Sequence, residues 1–125
     1  MNKIKASILI ANYNNQKYIL DCINSLLNQD FEGKFEIIFH DDNSRDNSLD
    51  IIKQFKNIKI IKNKKKTKFG SYNQMDAIRR SFNKSKGEII FLLDSDDYFK
   101  KKKIKILIEL FNKNKSLEVV YDLPI

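Results

Sequence analysis

The most constraining feature of this chain is a regular alternation of short apolar segments with longer amphipathic ones. The apolar segments are continuous and rich in branched residues, as expected for strands whose two faces are both covered by helices. We predict strands at Ile4–Ala11, Phe35–His40, Ile58–Ile61 and Glu88–Leu93. We predict helices at Gln16–Asn28, Asn47–Phe55, Ser71–Ser85 and Lys101–Asn112. A last apolar piece, Leu117–Tyr121, stands where a further strand would begin.

Three of the predicted helices, the first, third and fourth, each carry one apolar stripe. Apolar residues recur every three or four positions and so share one helical face. The stripe of the first helix is Tyr18, Ile19, Cys22, Ile23, Leu26 and Leu27. Strands that alternate with such helices predict an α/β fold, a three-layer α/β/α sandwich with a mostly parallel sheet. In such sheets ligands bind beyond the carboxyl ends of the strands, near the point where the strand order reverses.

Length and composition indicate a single domain, residues 1–125. The chain has 125 residues, 42% of them hydrophobic, which is enough for one buried core. No apolar run approaches the roughly 20 residues that span a bilayer. The start also lacks the apolar stretch of a signal peptide, so we expect a cytoplasmic protein. The one cysteine, Cys22, lies on a helix stripe, and we interpret it as a core residue.

The chain has a formal net charge of +8, with lysine concentrated at Lys62–Lys66 and Lys100–Lys103. Basic surfaces attract nucleic acids and anionic membranes. Lysine, asparagine and isoleucine are abundant throughout, however, so a general compositional bias also explains the charge. We expect a solvated loop and the first turn of a helix at the two runs, and no nucleic-acid binding. Peripheral contact with acidic lipid at the inner face of the membrane is the alternative.

Polar clusters follow three of the predicted strands. Residues 12–15 are Asn-Tyr-Asn-Asn, residues 41–44 are Asp-Asp-Asn-Ser, and residues 94–97 are Asp-Ser-Asp-Asp. Each cluster alone is explained by turn formation. Acidic pairs on neighbouring loops repel, however, unless a cation or a donor-rich ligand joins them, so we predict a binding site at this edge. Neither glycine-rich phosphate-binding pattern is present, which argues against a Rossmann dinucleotide site or a P-loop.

The segment Asp94-Ser95-Asp96-Asp97 has two interpretations. Carboxylate oxygens suit Mg²⁺ or Mn²⁺, whose shell is usually completed by water and substrate phosphate. Alternatively, Asp94 or Ser95 caps the helix that follows, while Asp96 and Asp97 favour its positive end. Taken alone, the segment leaves both open.

Three segments together resemble the nucleotide-sugar half of the inverting family 2 glycosyltransferases, which have the GT-A fold. They are Ser7–Asn14, Asp41–Ser44 and Gly87–Asp97, in the order and spacing of that family, and the resemblance covers nearly the whole chain. It implies that Tyr13 stacks on the nucleobase while Asp42 accepts a hydrogen bond from it, commonly from N3 of uracil. Asp41 would support that loop.

The same resemblance makes Asp94-Ser95-Asp96 the DXD motif. Asp96 would be the main ligand of an Mn²⁺ or Mg²⁺ ion that bridges the diphosphate. Asp94 would lie nearer the ribose while sharing the metal, and Asp97 would assist. The donor-nucleotide-binding set implied by the resemblance is Ala11, Tyr13, Asp41, Asp42, Gln74, Asp94 and Ser95. The implied reaction transfers sugar from a nucleotide-diphosphate sugar, first of all a UDP-sugar, to a hydroxyl of a glycan or lipid-linked acceptor in polysaccharide synthesis.

Inverting transfer also needs a general base that takes the proton of the acceptor hydroxyl. In the resembled family this base is a carboxylate of the acceptor half, so we expect it downstream of Ile125 and interpret the chain as a truncated donor-binding half. The chain departs from the family in the third predicted helix, where Arg79 and Ser81 replace the usual Asn and Gly. It departs again at His40, which replaces an apolar strand residue. We interpret His40 as structural and Gly70 as a turn residue.

Two other functions stay open. A sugar-phosphate nucleotidyltransferase has a related sheet and a metal-binding carboxylate, but it should show a glycine-rich N-terminal loop, which residues 11–15 lack. A non-catalytic basic module would bind nucleic acid or acidic membrane through its lysines, with an affinity that falls steeply with salt.

Overall fold

The computed structural model describes residues 3–63 and 67–122, and its strands and helices alternate as predicted. The elements are β1 (Ile4–Asn12), α1 (Ile19–Leu27), β2 (Lys34–Asp41), α2 (Ser48–Ile52), β3 (Ile58–Lys62), α3 (Gly70–Lys84), β4 (Ile89–Asp94) and α4 (Lys103–Lys113). None of the helices in these ranges combines the length and the apolar character that a membrane span requires. Lys64–Lys66, part of the first lysine run, lie outside the described residues.

The four strands form one parallel sheet in the order β3-β2-β1-β4. The strand order reverses at β1, because β2 pairs on one side of it and β4 on the other. Ala11 lies opposite His40 of β2 and opposite Asp94 of β4, and His40 lies opposite Ile61 of β3. The carboxyl ends of β1, β2 and β4 therefore lie side by side.

Helices cover both faces of the sheet. On one face α1, α2 and α4 bury the main core against alternate residues of the strands, with Ile8, Phe39, Ile23 and Ile104 among the fully buried members. On the other face α3 packs across β1 and β2. The three-layer α/β/α sandwich predicted from the sequence is confirmed.

Several element boundaries differ from the prediction. Helix α1 begins at Ile19 instead of Gln16, because the backbone N–H groups of Tyr18 and Ile19 both bond to the carbonyl of Asn15 and form a turn. Helix α2 ends at Ile52 instead of Phe55. The backbone N–H groups of Gln54 and Phe55 bond to carbonyls three residues earlier, whereas an α-helix bonds to carbonyls four residues earlier.

The last apolar piece, Leu117–Tyr121, was expected to begin a strand, and that expectation is wrong. The segment pairs with no described strand, and Tyr121 is 90% exposed. A strand is stable only when a neighbour takes its backbone hydrogen bonds, and apolar composition does not supply one.

Candidate functional site

An open cleft of about 280 Å³ lies at the carboxyl edge of the sheet, where the strand order reverses. This volume is close to the lower end of the roughly 300–1,000 Å³ of small-molecule sites. The ends of β1, β2 and β4 and one side of α3 form the cleft. Its lining residues are Ala11, Asn12, Tyr13, Asn15, His40, Asp42, Gly70, Asn73, Gln74, Ala77, Asp94 and Asp96.

Most of the residues predicted from sequence meet in this cleft. Six of them line it, namely Ala11, Tyr13, Asp42, Gln74, Asp94 and Asp96. Three others lie beside it without lining it. Asp41 and Ser95 are fully buried, and Asp97 is exposed on the turn after β4.

Asp41 holds two loops together. Its Oδ1 accepts hydrogen bonds from Asn12 Nδ2 at 2.9 Å and from Ser44 Oγ at 2.6 Å. Its Oδ2 accepts one from the backbone N–H of Ser44 at 2.9 Å. Ser44 Oγ in turn accepts the backbone N–H of Asn14 at 3.0 Å. Both carboxylate oxygens are thus occupied, and Asp41 fixes the loops after β1 and β2 against each other.

Asp42 points to the cleft and is held there by its own partners. Its backbone N–H bonds to the carbonyl of Asn12 at 2.9 Å, and its Oδ1 accepts Asn63 Nδ2 at 2.9 Å. Its side chain is mostly buried, with 7% of the residue exposed. A carboxylate in such a setting is a preorganised acceptor, because its position is fixed before any ligand arrives.

The acidic turn after β4 is tied to the loop after β1. Ser95 donates its backbone N–H to the carbonyl of Ala11 at 3.3 Å, and its Oγ accepts Asn15 Nδ2 at 2.8 Å. Gln74 Nε2 donates to Asp94 Oδ1 at 3.1 Å and links α3 to the same turn. Ser95 therefore positions the carboxylates on either side of it and does not face the cleft itself.

Asp94 and Asp96 are the carboxylates of this turn that could hold a cation. Within residues 3–63 and 67–122, no three His, Cys, Asp or Glu side chains are arranged as a metal-binding group. Mg²⁺ and Mn²⁺ often take only one or two protein carboxylates and complete their shell with substrate phosphates and water. The two cleft carboxylates suit an ion of this kind, whose remaining ligands would be water and phosphate oxygens.

Neither Asp94 nor Ser95 caps helix α4, so the capping part of the alternative interpretation is wrong. Helix α4 is preceded by Lys102, which makes no side-chain capping bond. Instead the backbone N–H of Ile104 bonds to Gln29 Oε1 at 3.1 Å. Gln29 lies near the end of α1, so the cap comes from a residue that is distant in sequence.

Cys22 is a core residue, as interpreted from the sequence. It is 1% exposed, and its thiol lies 3.8 Å from the carbonyl oxygen of Asp94. Burial is the main cause that raises the pKa of the Cys22 thiol to about 12, and the nearby charges of Asp97, Asp96 and Asp94 contribute to the same shift. A neutral, buried thiol of this kind is a poor nucleophile.

Sequence reasoning missed several residues of the cleft. Gly70, Asn73 and Ala77 lie on one side of α3 with Gln74, a spacing of three and four residues that a helical projection would have grouped. Asn73 is 5% exposed and bonds through both its amide N and O to the backbone of Thr67, which fixes the chain just before α3. His40, interpreted as structural, lies in the wall of the cleft.

Comparison with known protein families adds independent evidence. A family model described as glycosyl transferase family 2 matches residues 7–122. An uncharacterized glycosyltransferase of Nostoc sp. is 34% identical over 123 residues, which are 98% of this chain and 37% of that protein. The poly(ribitol-phosphate) beta-N-acetylglucosaminyltransferase TarS of Staphylococcus aureus is 33% identical over 104 residues, which are 82% of this chain and 18% of that protein. The chain thus spans well under half the length of these relatives.

Solved structures give the same relationship. Crystal structures of S. aureus TarS in complex with UDP and in complex with UDP-GlcNAc both match with a TM-score of 0.77 and 28% identity. The matches cover 90% of this chain and 33% and 32% of the TarS chains.

Proposed function

The chain belongs to glycosyl transferase family 2 and has the GT-A fold, and on that premise we propose that it binds a nucleotide-diphosphate sugar, a UDP-sugar, as the donor domain of an inverting glycosyltransferase. The observation that carries this proposal is the composition of the cleft. An aromatic ring and a fixed carboxylate, Tyr13 and Asp42, share one cavity with the paired carboxylates Asp94 and Asp96. The first pair suits a nucleobase and the second suits a diphosphate with its cation.

The base end of the cleft is formed by the loops after β1 and β2. Tyr13 is half-buried and lines the cleft, so a base bound in the cleft would contact its side chain. Asp42 is an acceptor and favours a base edge that carries an N–H, as uracil does at N3. Asp41 and Ser44 hold the two loops at a constant separation, which keeps the ring and the acceptor in one arrangement.

The diphosphate end requires a divalent cation for an electrostatic reason. Two carboxylates facing two phosphates would repel them, and the cleft-lining residues within 3–63 and 67–122 include no lysine or arginine to offset this. We propose that Asp94 and Asp96 hold Mn²⁺ or Mg²⁺ together with the diphosphate. When bound, the ion would neutralise the charge that develops on the departing nucleotide. Gln74 and Ser95 keep the acidic turn in place.

The relatives support the choice of donor and the class of product. The TarS structures contain UDP and UDP-GlcNAc, which supports a uridine nucleotide here. TarS and a Bacillus spizizenii relative are named for sugar transfer to poly(ribitol-phosphate), which supports an acceptor hydroxyl on a cell-surface polymer or another glycan. The proposal concerns donor binding, and we assign no general base among the described residues.

We also propose that the protein works in the cytoplasm with peripheral contact to an anionic membrane. Lys100, Lys101 and Lys102 are exposed on the turn before α4 and form a local concentration of positive charge. A lipid-linked acceptor would place the protein at such a surface. A purely non-catalytic basic module would use the same lysines, but it would not explain the acidic cleft.

Titration calorimetry and thermal melting with UDP, in the presence and absence of Mn²⁺, test the proposed function. We expect a rise in melting temperature only when nucleotide and metal are both present. At a nucleotide concentration about 100 times its Kd, the added stability should be roughly 2.7 kcal/mol. No response to UDP, GDP or a UDP-sugar with either metal would overturn the donor-site proposal. Salt-sensitive binding to duplex DNA in its place would favour the basic-module alternative.

A further inference from the structure

His40 is the least expected residue of the cleft wall. It lies near the end of β2 between Ala11 of β1 and Ile61 of β3, and α3 covers this face of the sheet. The residue is 1% exposed and still borders the cleft. Among the described residues, neither its Nδ1 nor its Nε2 has a hydrogen-bond partner.

Two unpartnered ring nitrogens in a buried position are unfavourable. A buried polar group without a partner is destabilising relative to one that is satisfied, because it loses its hydrogen bonds to water and gains none in the protein. Branched apolar residues fit the interior of a parallel strand without this cost. An imidazole in this position, at the border of the cleft, is therefore expected to find its partner in a bound ligand.

The charge state of His40 defines which partner it can take. Burial lowers the pKa of His40, and the nearby Arg80 guanidinium lowers it further, while Asp42, Asp76 and Asp41 act in the opposite direction without reversing the shift. The imidazole is therefore neutral at pH 7. A neutral imidazole offers one N–H donor and one acceptor nitrogen.

His40 is the next-to-last residue of β2, and Asp42, the first residue after the strand, still pairs with β1 through its backbone N–H, which bonds to the carbonyl of Asn12. Both residues border the cleft. Alternate residues of a strand lie on the same side, about 6.6 Å apart along it. An N–H donor beside a carboxylate acceptor complements an imide edge, in which a ring N–H is adjacent to a carbonyl oxygen. Uracil has such an edge, whereas cytosine has an acceptor at N3 and an amino group at C4.

We propose that His40 is a base-specificity residue, whose ring N–H donates to the carbonyl oxygen adjacent to the imide N–H that Asp42 accepts. The inference rests on the proposed nucleotide site and adds to it a second polar contact with the base. It also gives a reason for a histidine at a strand position where an apolar side chain would pack equally well.

Calorimetry with base-modified nucleotides tests this contact, with Mn²⁺ present throughout. The probes are UDP, 2-thio-UDP, 4-thio-UDP and CDP, because sulfur is a weaker acceptor than oxygen in each thio analogue. For the unmodified protein we expect one of the two thio analogues to bind about 3- to 10-fold more weakly than UDP, the size of one neutral hydrogen bond. In His40→Phe, UDP should weaken by the same factor, and the difference between UDP and that analogue should disappear.

Further variants separate base recognition from packing. His40→Gln keeps an N–H donor and should retain part of the preference for UDP over the thio analogue. Ile61→Val changes packing at the neighbouring strand position and should leave all affinity ratios unchanged. Discrimination against CDP should persist in every variant, since it depends on Asp42. His40→Leu serves as a second apolar variant if His40→Phe folds poorly, and either one should melt at or above the temperature of the unmodified protein.

The outcomes distinguish this inference from the proposed function. If the unmodified protein fails to bind UDP with metal, the donor site itself is wrong. If it binds UDP but the His40 variants keep both the UDP affinity and the thio-analogue ratios, the donor site stands and the role of His40 is overturned.

Discussion

At the scale of single residues, neighbouring side chains at the strand ends have different roles because successive residues there point in different directions. Asp41 is fully buried, and its two carboxylate oxygens accept hydrogen bonds from Asn12 and Ser44, whereas Asp42 borders the cleft. Ser95 is likewise buried between Asp94 and Asp96, which line the cleft. The acidic segments are thus divided into residues that position the site and residues that face a ligand.

Tyr13 is predicted to act through its ring. Tyr13→Ala should weaken UDP binding by roughly 1–3 kcal/mol, the size of base–aromatic stacking in other nucleotide binders, because it removes the stacking face. Tyr13→Phe keeps that face and should change the affinity little. Calorimetry on both variants checks this, and equal losses from the two would show that the hydroxyl matters and the ring does not.

Asp96 is predicted to act through a bound cation. Asp96→Asn should keep or raise the melting temperature without ligand, because it relieves repulsion within the acidic turn, and it should abolish Mn²⁺-dependent UDP binding. Asp97→Asn is the matched control, since Asp97 lies on the same turn outside the cleft and its Oδ1 accepts the backbone N–H of Tyr98. Loss of UDP binding in both variants alike would contradict the assignment of Asp96 and restore a metal role for Asp97.

At the scale of elements, the two ends of the sheet differ in what their side chains do. The carboxyl end carries the cleft. At the amino end a partly buried network joins the strands, with Ser7 Oγ donating to Glu36 Oε1 at 2.7 Å and accepting the backbone N–H of Gly87 at 2.8 Å. Glu36 Oε2 also accepts from Lys59 Nζ at 2.8 Å, so β1, β2, β3 and the start of β4 are connected.

Glu36 should make stability depend on acid pH. Burial alone would raise the pKa of its carboxyl, but hydrogen bonds from Lys59, Ser7 and Lys86 outweigh burial and hold the pKa below its ordinary value of 4.5. Because the pKa is lower in the folded than in the unfolded protein, ionised Glu36 stabilises the fold. This stabilisation is complete at a pH above the unfolded-state pKa, and it is lost as the pH falls through the folded-state pKa.

Urea unfolding at a series of pH values below about 5 measures this effect. As the pH is lowered, the free energy of unfolding should decrease less in Glu36→Gln than in the unmodified protein. Glu88→Gln is the control, because Glu88 forms an ion pair of 3.6 Å with Lys5 and its side chain is 50% exposed. An identical pH profile for Glu36→Gln and the unmodified protein would refute the prediction.

Gly87 is required where the chain enters β4 beside β1. A Cβ at this position would lie 2.5 Å from the backbone atoms C of Ala6 and N of Ser7, so Gly87→Ala should destabilise the fold by about 1–3 kcal/mol. A Cβ at Gly70 would meet nothing within 4 Å, so Gly70→Ala should leave stability unchanged or raise it by up to about 1 kcal/mol. Chemical unfolding of both variants tests the contrast, and an equal effect of the two would argue against this packing at β1.

At the scale of the whole molecule, a strongly basic chain surrounds an acidic cleft. The formal net charge is +8, yet in the part of the chain that the structure describes the cleft is lined by three aspartates and by no lysine or arginine. The general positive potential attracts anionic ligands and surfaces, while the local carboxylates favour those that arrive with a cation.

The exposed lysines before α4 are predicted to bind anionic membranes. Attraction of about 1 kcal/mol per lysine near the surface should bring the protein to phosphatidylserine vesicles at low salt, and screening should release it as the salt rises. Lys101→Ala with Lys102→Ala should weaken sedimentation with vesicles more than the control pair Lys53→Ala with Lys84→Ala. If both double variants weakened vesicle binding equally, the binding would depend on the net charge of the protein and not on the lysines before α4.

Sequence alone was sufficient for the fold class, the order of the elements and the edge of the sheet that carries the cleft. Periodicity and segment length are local properties, and parallel strands necessarily end at a common edge, so six of the predicted site residues met there. Tertiary structure decided everything that depends on distant partners. Gln29 caps a helix that begins some 70 residues later, Asn15 and Ser95 bond across 80 positions, and His40 enters the cleft because α3 packs over its strand. Such contacts cannot be read from the periodicity of a segment. Periodicity determines on which face of a helix or strand a side chain lies, whereas the packing of the elements determines which residue it contacts.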